Sequence, residues 1–300
     1  MTTAQKPILA LVGPTASGKS DIAFGLAQKY PLELVNIDSL QIYKHMDIGT
    51  AKPTQTELAS CKHHLFNILN PDQNITALGY AQQAKTIITD IHQRQFIPLL
   101  VGGSGFYLQA LSNNKTFKPG TLEDDSIENL YAFIQAKAPH IAQEIHVNDS
   151  YRVRRLAFLL KHDPDFSWES YTSVHYQHNI HSFVVQWPRE QLYKRINARV
   201  IKMFEQGLLI ETQNLLKNFP QCQPKLAKTI GYAQCLKHLN GDYSYEEAIV
   251  QTQQKTRNYA KRQSTWFKNR GQSQWFAYHE IFDKLELLIK GICSEHNIKG

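Results

Sequence analysis

The stretch Gly13-Pro-Thr-Ala-Ser-Gly-Lys-Ser20 constrains this chain more than any other, because it fits the pattern G-x-x-x-x-G-K-[ST]. In that pattern successive backbone N–H groups turn inward around a phosphate, a lysine adds a point charge, and a hydroxyl is placed to hold Mg²⁺. The arrangement needs a strand entering the loop and a helix leaving it, since the helix directs its positive end at the same anion. Both neighbours are predicted. Ile8–Val12 is a short apolar run ahead of Gly13, and Ser20–Tyr30 carries apolar residues at helical spacing. The expected phosphate-binding set is therefore Gly13, Pro14, Thr15, Ala16, Ser17, Gly18, Lys19 and Ser20, with Ser20 as the metal-holding hydroxyl.

The same alternation continues downstream. Leu32–Ile37 and Ile97–Val101 read as buried strands, and Ala77–Arg94 as an amphipathic helix between them. Strand–helix–strand order predicts an α/β fold, a parallel sheet covered by helices. From Asn113 to about His181 the pattern changes to polar and turn-forming residues with helical pieces at Ile127–Ala138 and Tyr151–Lys161. Phe183–Trp187 reads as a return to the sheet, and Arg189–Leu216, Gly231–Leu239 and Ser244–Lys268 as long helices. The expected organisation is a core of residues 1–115 and 182–300, interrupted by a small helical insertion at 116–181.

Composition excludes several classes. With 42% hydrophobic and 20% charged residues, the 300-residue chain can bury a core and is not disordered. No apolar run approaches the ~20 residues that span a bilayer, so no membrane association is expected. Cys61, Cys222, Cys235 and Cys293 are far apart with no CxxC pair, which argues against a zinc ribbon or disulfide scaffold and for a reducing, cytoplasmic setting. The formal charge of +7 is unevenly spread: Arg189–Arg270 holds 15 basic and 6 acidic residues. Such concentration suits a polyanionic partner, although solvated helix faces give the same pattern.

The phosphate loop does not name its ligand. The Asn-Lys-x-Asp signature of GTPases is absent, as is an apolar strand ending in an acidic pair. In open α/β sheets the chemistry lies at the other strand ends. One of these carries Asp38, which could ligate Mg²⁺, act as a general base or cap the next helix. Another carries Gly102-Gly-Ser-Gly105, either a crevice loop or a tight strand-to-helix turn.

Together, Gly13–Ser20, the block DSLQIYKHMDIGTAKP (Asp38–Pro53), His63–Leu65 and LLVGGSGFYLQAL (Leu99–Leu111) resemble the bacterial tRNA dimethylallyltransferases. The resemblance extends through Asp149–Arg155, the helix Arg195–Gly207, Ile230-Gly-Tyr232 and Ala260–Trp266, and so covers nearly the whole chain. It implies a P-loop NTPase-like core and a prenyl transfer from dimethylallyl diphosphate to N6 of adenine 37 in tRNA. By this resemblance Lys19, Thr15 and the loop amides grip the diphosphate with Mg²⁺ on Ser20, and Lys228 adds a basic contact. Asp38 is the implied general base, and Ser104 supplies the hydroxyl near the adenine amine where the family carries threonine. Asp38, Ser39, Leu40, Gln41 and Ser104 would border the adenine. Tyr151, Arg152, Val153, Arg154 and Arg155, together with Arg257, Lys261 and Arg262, would contact tRNA. Ser150-Tyr151 replaces the family's common Pro-Gln. The family prior is a monomer. A P-loop small-molecule kinase is the rival reading, and an RNA-binding module without chemistry is a second.

Overall fold

The apolar runs pair into one six-stranded parallel sheet in the computed structural model, which describes residues 6–112, 120–172, 180–270 and 273–298. The strands are β1 (Ile8–Val12), β2 (Leu32–Asn36), β3 (His63–His64), β4 (Ile97–Gly102), β5 (Ile180–Gln186) and β6 (Gln274–Ala277). Their spatial order is β3-β2-β4-β1-β5-β6, with Leu9 opposite Leu99 on one side and His181 on the other. Helices lie in the crossovers, α1 (Lys19–Ala27), α2 (Ala77–Gln93), α3 (Gly105–Ser112), α4 (Arg189–Glu205), α5 (Leu208–Asn218) and α6 (Tyr245–Arg270), and α7 (Tyr278–Glu295) follows β6.

Side chains alternate between the two faces of each strand, so a sheet covered on both sides needs continuous apolar runs. Ala10, Val12, Val35 and Leu100 face Tyr80, Ala84 and Ile88 of α2, Leu108 of α3 and Phe267 of α6. Leu9, Leu11, Leu34 and Leu99 face Ile22 and Leu26 of α1 and Ile281, Leu285 and Ile289 of α7. A third cluster packs Ile42, Tyr43 and Met46 against Val200 and Phe204 of α4 and Leu208 and Leu215 of α5. That cluster seats the segment following Asp38. Its backbone is fastened by Glu211 of α5, whose carboxylate accepts the N–H groups of Asp47, Ile48 and Gly49 at 2.8–3.0 Å and the Tyr232 hydroxyl at 2.7 Å.

The chain divides into two compact units, Met1–Ser112 with Tyr176–Gly300, and Asn113–His175. The expected 115/116 boundary lies outside the described residues. The second unit has its own core of Leu130, Ile134, Ile141, Val153 and Leu156. Three sequence expectations need correction. The single helix Arg189–Leu216 is two, broken at Gly207, whose φ of +100° a continuing helix does not allow. β5 begins at Ile180 rather than Phe183. Strands β3 and β6 and helix α7, absent from the sequence reading, complete the sheet and one of its faces.

Candidate active site

The chain leaves β1 toward β2 on one side and β4 toward β5 on the other, so the strand order reverses at β1 and β4. A crevice is expected outside the carboxyl ends of such strands. One of about 580 Å³ lies there, and Thr15–Asp21, Asp38, Gln41 and Gly102–Gly103 all line it. At its floor α1 begins at Gly18 without a side-chain cap, leaving first-turn N–H groups open to an anion. Lys19 Nζ folds back onto Gly13 O (3.0 Å), Pro14 O (2.7 Å) and Ser17 Oγ (3.3 Å). Gly13 and Pro14 shape the loop rather than line the crevice.

The loop backbone is clamped by two side-chain donors. Trp187 Nε1 donates to Ser17 O (2.9 Å), and Arg195 Nε donates to Ala16 O (2.8 Å). Ala16 has φ +62°, a conformation costing about 1–3 kcal/mol for a residue with a Cβ. It is held by packing against Leu192, Ile196 and Ala260. The Arg195 guanidinium lies 4.6 Å from the Trp187 ring and 5.6 Å from that of Tyr278.

Three strand-end loops meet here. Ser104 N donates to Ile37 O (3.3 Å), and a Cβ on Gly102 would stand 2.9 Å from Asp38 N. Asp38 directs Oδ1 to the N–H of Leu40 (2.9 Å), while Asn36 Oδ1 accepts the Asp38 N–H (2.8 Å). These bonds set the carboxylate at the strand tip, half-buried and on the crevice wall. Gln263 of α6 ties the two glycine-rich loops together: its Oε1 accepts Thr15 N–H (2.8 Å) and its Nε2 donates to Gly103 O (3.0 Å). The Thr15 amide is thus already engaged.

The charges of the site are coupled. Desolvation first, then Arg199, pulls the Lys19 ammonium down to about 7, and Asp38 opposes that fall. Burial also lowers Arg199, against the pull of Asp38 and Asp21. Burial, then the Asp38 charge, raises the Tyr259 hydroxyl above its ordinary range. Arg195, Arg199 and Lys202 line the crevice from one face of α4, and Lys52, Tyr259 and Gln263 line it as well. Arg195, Arg199, Lys202, Lys52 and Gln263 were not singled out from the sequence as site residues. The signal was available: positions 195, 199 and 202 recur at helical spacing, and solvated faces show the same spacing. Phe24, His63 and Phe66 add an aromatic stretch of wall.

Other expected residues stand apart. Ser104 opens α3, its carbonyl accepting from Tyr107 and Leu108, and it does not line the crevice; neither do Ser39 and Leu40. Lys228 is exposed and outside the crevice, so the structure does not bring it to the phosphate loop. On α6, Lys261 and Arg262 are exposed, and Arg257 donates to Asn197 Oδ1 (2.7 Å). Within the second unit, Tyr151 is exposed, while Val153 is buried in the core and offers an RNA no side chain. Arg152 pairs with Asp149 at 3.6 Å. Arg154 donates to the carbonyls of Leu122, Glu123 and Asp125, and Arg155 to that of Gly120.

Among the described residues no cluster of three His, Cys, Asp or Glu could hold a metal. A phosphate-loop Mg²⁺ needs none, because it takes one hydroxyl and fills its shell with phosphate oxygens and water. The exposed Ser20 hydroxyl at the start of α1, beside Asp21 in the crevice, fits that donor set.

Fold and crevice define a P-loop-type α/β protein whose phosphate grip shares its pocket with a carboxylate and a cationic helix. The family model described as IPP transferase matches residues 41–270, and the chain belongs to that family. It is 38% identical to a tRNA dimethylallyltransferase of Staphylococcus carnosus over 91% of this chain and 92% of that one. It is also similar to the crystal structure of a tRNA isopentenylpyrophosphate transferase from Bacillus halodurans: TM-score 0.72, 31% identity, 97% of this chain and 98% of that one. A eukaryotic dimethylallyltransferase described as acting on tRNA superposes with TM-score 0.79 at 26% identity, over 91% of this chain and 74% of its own.

Proposed function

We propose that this chain is a tRNA dimethylallyltransferase, moving a five-carbon prenyl group from dimethylallyl diphosphate to N6 of adenine 37. The family membership supports the reaction class, and the named relatives support tRNA as acceptor. The observation that carries the residue-level reading is that Asp38 and Thr15–Ser20 line one crevice.

The exocyclic amine of adenine is a weak nucleophile because its lone pair is delocalised into the ring. In the proposed step, the N6–C1 bond forms as the C1–O bond to diphosphate breaks, and that bond's electron pair leaves with the diphosphate. The N6 proton passes to the Asp38 carboxylate. Lys19 and the α1 N-terminus hold the diphosphate, and Arg199 and Arg195 stand ready to offset its growing charge. Mg²⁺ held by Ser20 and phosphate oxygens would add Lewis-acid stabilisation of the leaving group. Adenine reaches the crevice only after leaving the anticodon-loop stack. The reading takes the protein as a cytoplasmic monomer; among the described residues no helix is long and apolar enough to cross a membrane.

Incubation with unmodified tRNA and dimethylallyl diphosphate tests the assignment. Adenosine is expected to gain one dimethylallyl group with release of diphosphate. Unmodified tRNA together with ATP-dependent phosphorylation of a small acceptor would replace this reading with that of a kinase.

A further inference from the structure

An aromatic pair beside the crevice, Phe106 exposed and Trp266 half-buried, has no part in the transfer chemistry. Phe106, the second residue of α3, leaves 57% of its surface exposed. Its ring centroid is 6.3 Å from that of Trp266 on α6, with the planes inclined at 54°. The indole rests on the backbone immediately after Ser104: a Cβ at Gly105 would come within 2.2 Å of Trp266 Cε3, so only glycine admits the ring there. Trp266 Nε1 is buried with no hydrogen-bond partner among the described residues. A tryptophan chosen for stability alone would not leave that donor unmet.

The surroundings indicate what covers the pair. Tyr259 and Gln263 line the crevice from α6, and Trp266 follows them at spacings of seven and three, on the same helical face. After Glu247 this helix has no acidic residue, while Lys255, Lys261, Arg262 and Lys268 are exposed along it. An apolar surface flanked by unopposed cations matches a single-stranded nucleic acid, whose bases stack and whose phosphates are negative. A lipid-tail or apolar-peptide occupant would leave those cations without a purpose.

We propose that Phe106 and Trp266 form a stacking platform for an unpaired base that flanks the adenosine being modified. This rests on the tRNA-prenylation reading and deepens it. Drawing one base out of a stack uncovers the face of its neighbour, and an aromatic surface at the crevice rim replaces the lost partner.

Binding of a synthetic anticodon stem-loop to wild type, Phe106→Ala and Phe106→Trp tests the platform, with dimethylallyl diphosphate affinity and thermal midpoint measured alongside. Phe106 is mostly exposed, so the alanine variant should keep its midpoint and donor affinity. It is expected to bind the stem-loop about tenfold more weakly, with tryptophan restoring wild-type affinity. The penalty should vanish on one of two stem-loops made abasic at either neighbour of the target adenosine. Unchanged binding by Phe106→Ala, or a penalty that persists in full on both abasic loops, overturns the platform. Prenylation by the wild type is scored separately. Stem-loop binding without prenylation would sink the functional reading and leave the platform standing, whereas a wild type that binds no stem-loop would sink the platform itself.

Discussion

Lys19 sits at about 7 because the crevice strips it of water and Arg199 stands nearby, so the empty site holds only part of its possible positive charge at neutral pH. A diphosphate complex favours the ammonium, so binding above pH 7 must take up a proton. Between pH 7.5 and 9 the affinity for dimethylallyl diphosphate should fall, by at most about tenfold per pH unit for one proton. Calorimetry in buffers of different ionisation enthalpy would read the uptake directly. Asp38→Ala should reduce transfer by about 10²–10⁴-fold, the usual worth of a positioned base. Its stem-loop affinity should stay within a few-fold, because Asp38 is one carboxylate beside many cations; single-turnover kinetics and a binding titration check the two halves. At this scale the phosphate loop was legible because its motif encodes backbone geometry as well as side chains. Arg199 was not, because nothing local distinguishes a cation aimed into a crevice from one aimed at solvent. Gln263 was illegible for a similar reason: its partners, Thr15 and Gly103, are 248 and 160 residues away.

Among elements, the segment after Asp38 has no regular structure of its own before Gln55 and depends on α5 for its shape. Glu211 accepts three consecutive N–H groups and a tyrosine hydroxyl, so its removal leaves several buried or half-buried donors unmatched. Glu211→Ala should cost about 2–4 kcal/mol in a denaturant titration and hasten proteolysis between Asp47 and Pro53. Gln263→Leu keeps the volume but deprives Thr15 N–H and Gly103 O of their partner. A loss of about 1–3 kcal/mol is expected, with weaker donor binding. Strands β1, β2 and β4 could be read from sequence because each is a short, mainly apolar run that is almost wholly buried. β3 is two histidines, and β6 is four residues with two aromatics; neither is long enough to show a period. Helix α7 did carry a signal, Ile281, Leu285, Ile289 and Ile292 at helical spacing, but lay beyond the stretch read as helical.

For the whole molecule, the excess of positive charge in Arg189–Arg270 divides between two uses. Arg195 and Arg199 serve the crevice, while Lys261 and Arg262 stay in solvent on α6. The sequence showed the excess but not the division, which only the packing of α4 and α6 decides. Lys261→Ala with Arg262→Ala should weaken binding of all tRNA sequences alike. The slope of log K against log salt should fall by about one to two, the share of two phosphate contacts. Gln263 has a consequence at this scale too. It fastens the helix that carries those exposed cations to both the donor loop and the loop beside Asp38. An RNA that displaces the helix therefore acts on donor affinity, and a donor that stiffens the loops acts on the RNA. Thermodynamic reciprocity makes the two factors equal, so titrating each substrate with and without the other must return a single coupling free energy. In Gln263→Leu that energy should collapse toward zero.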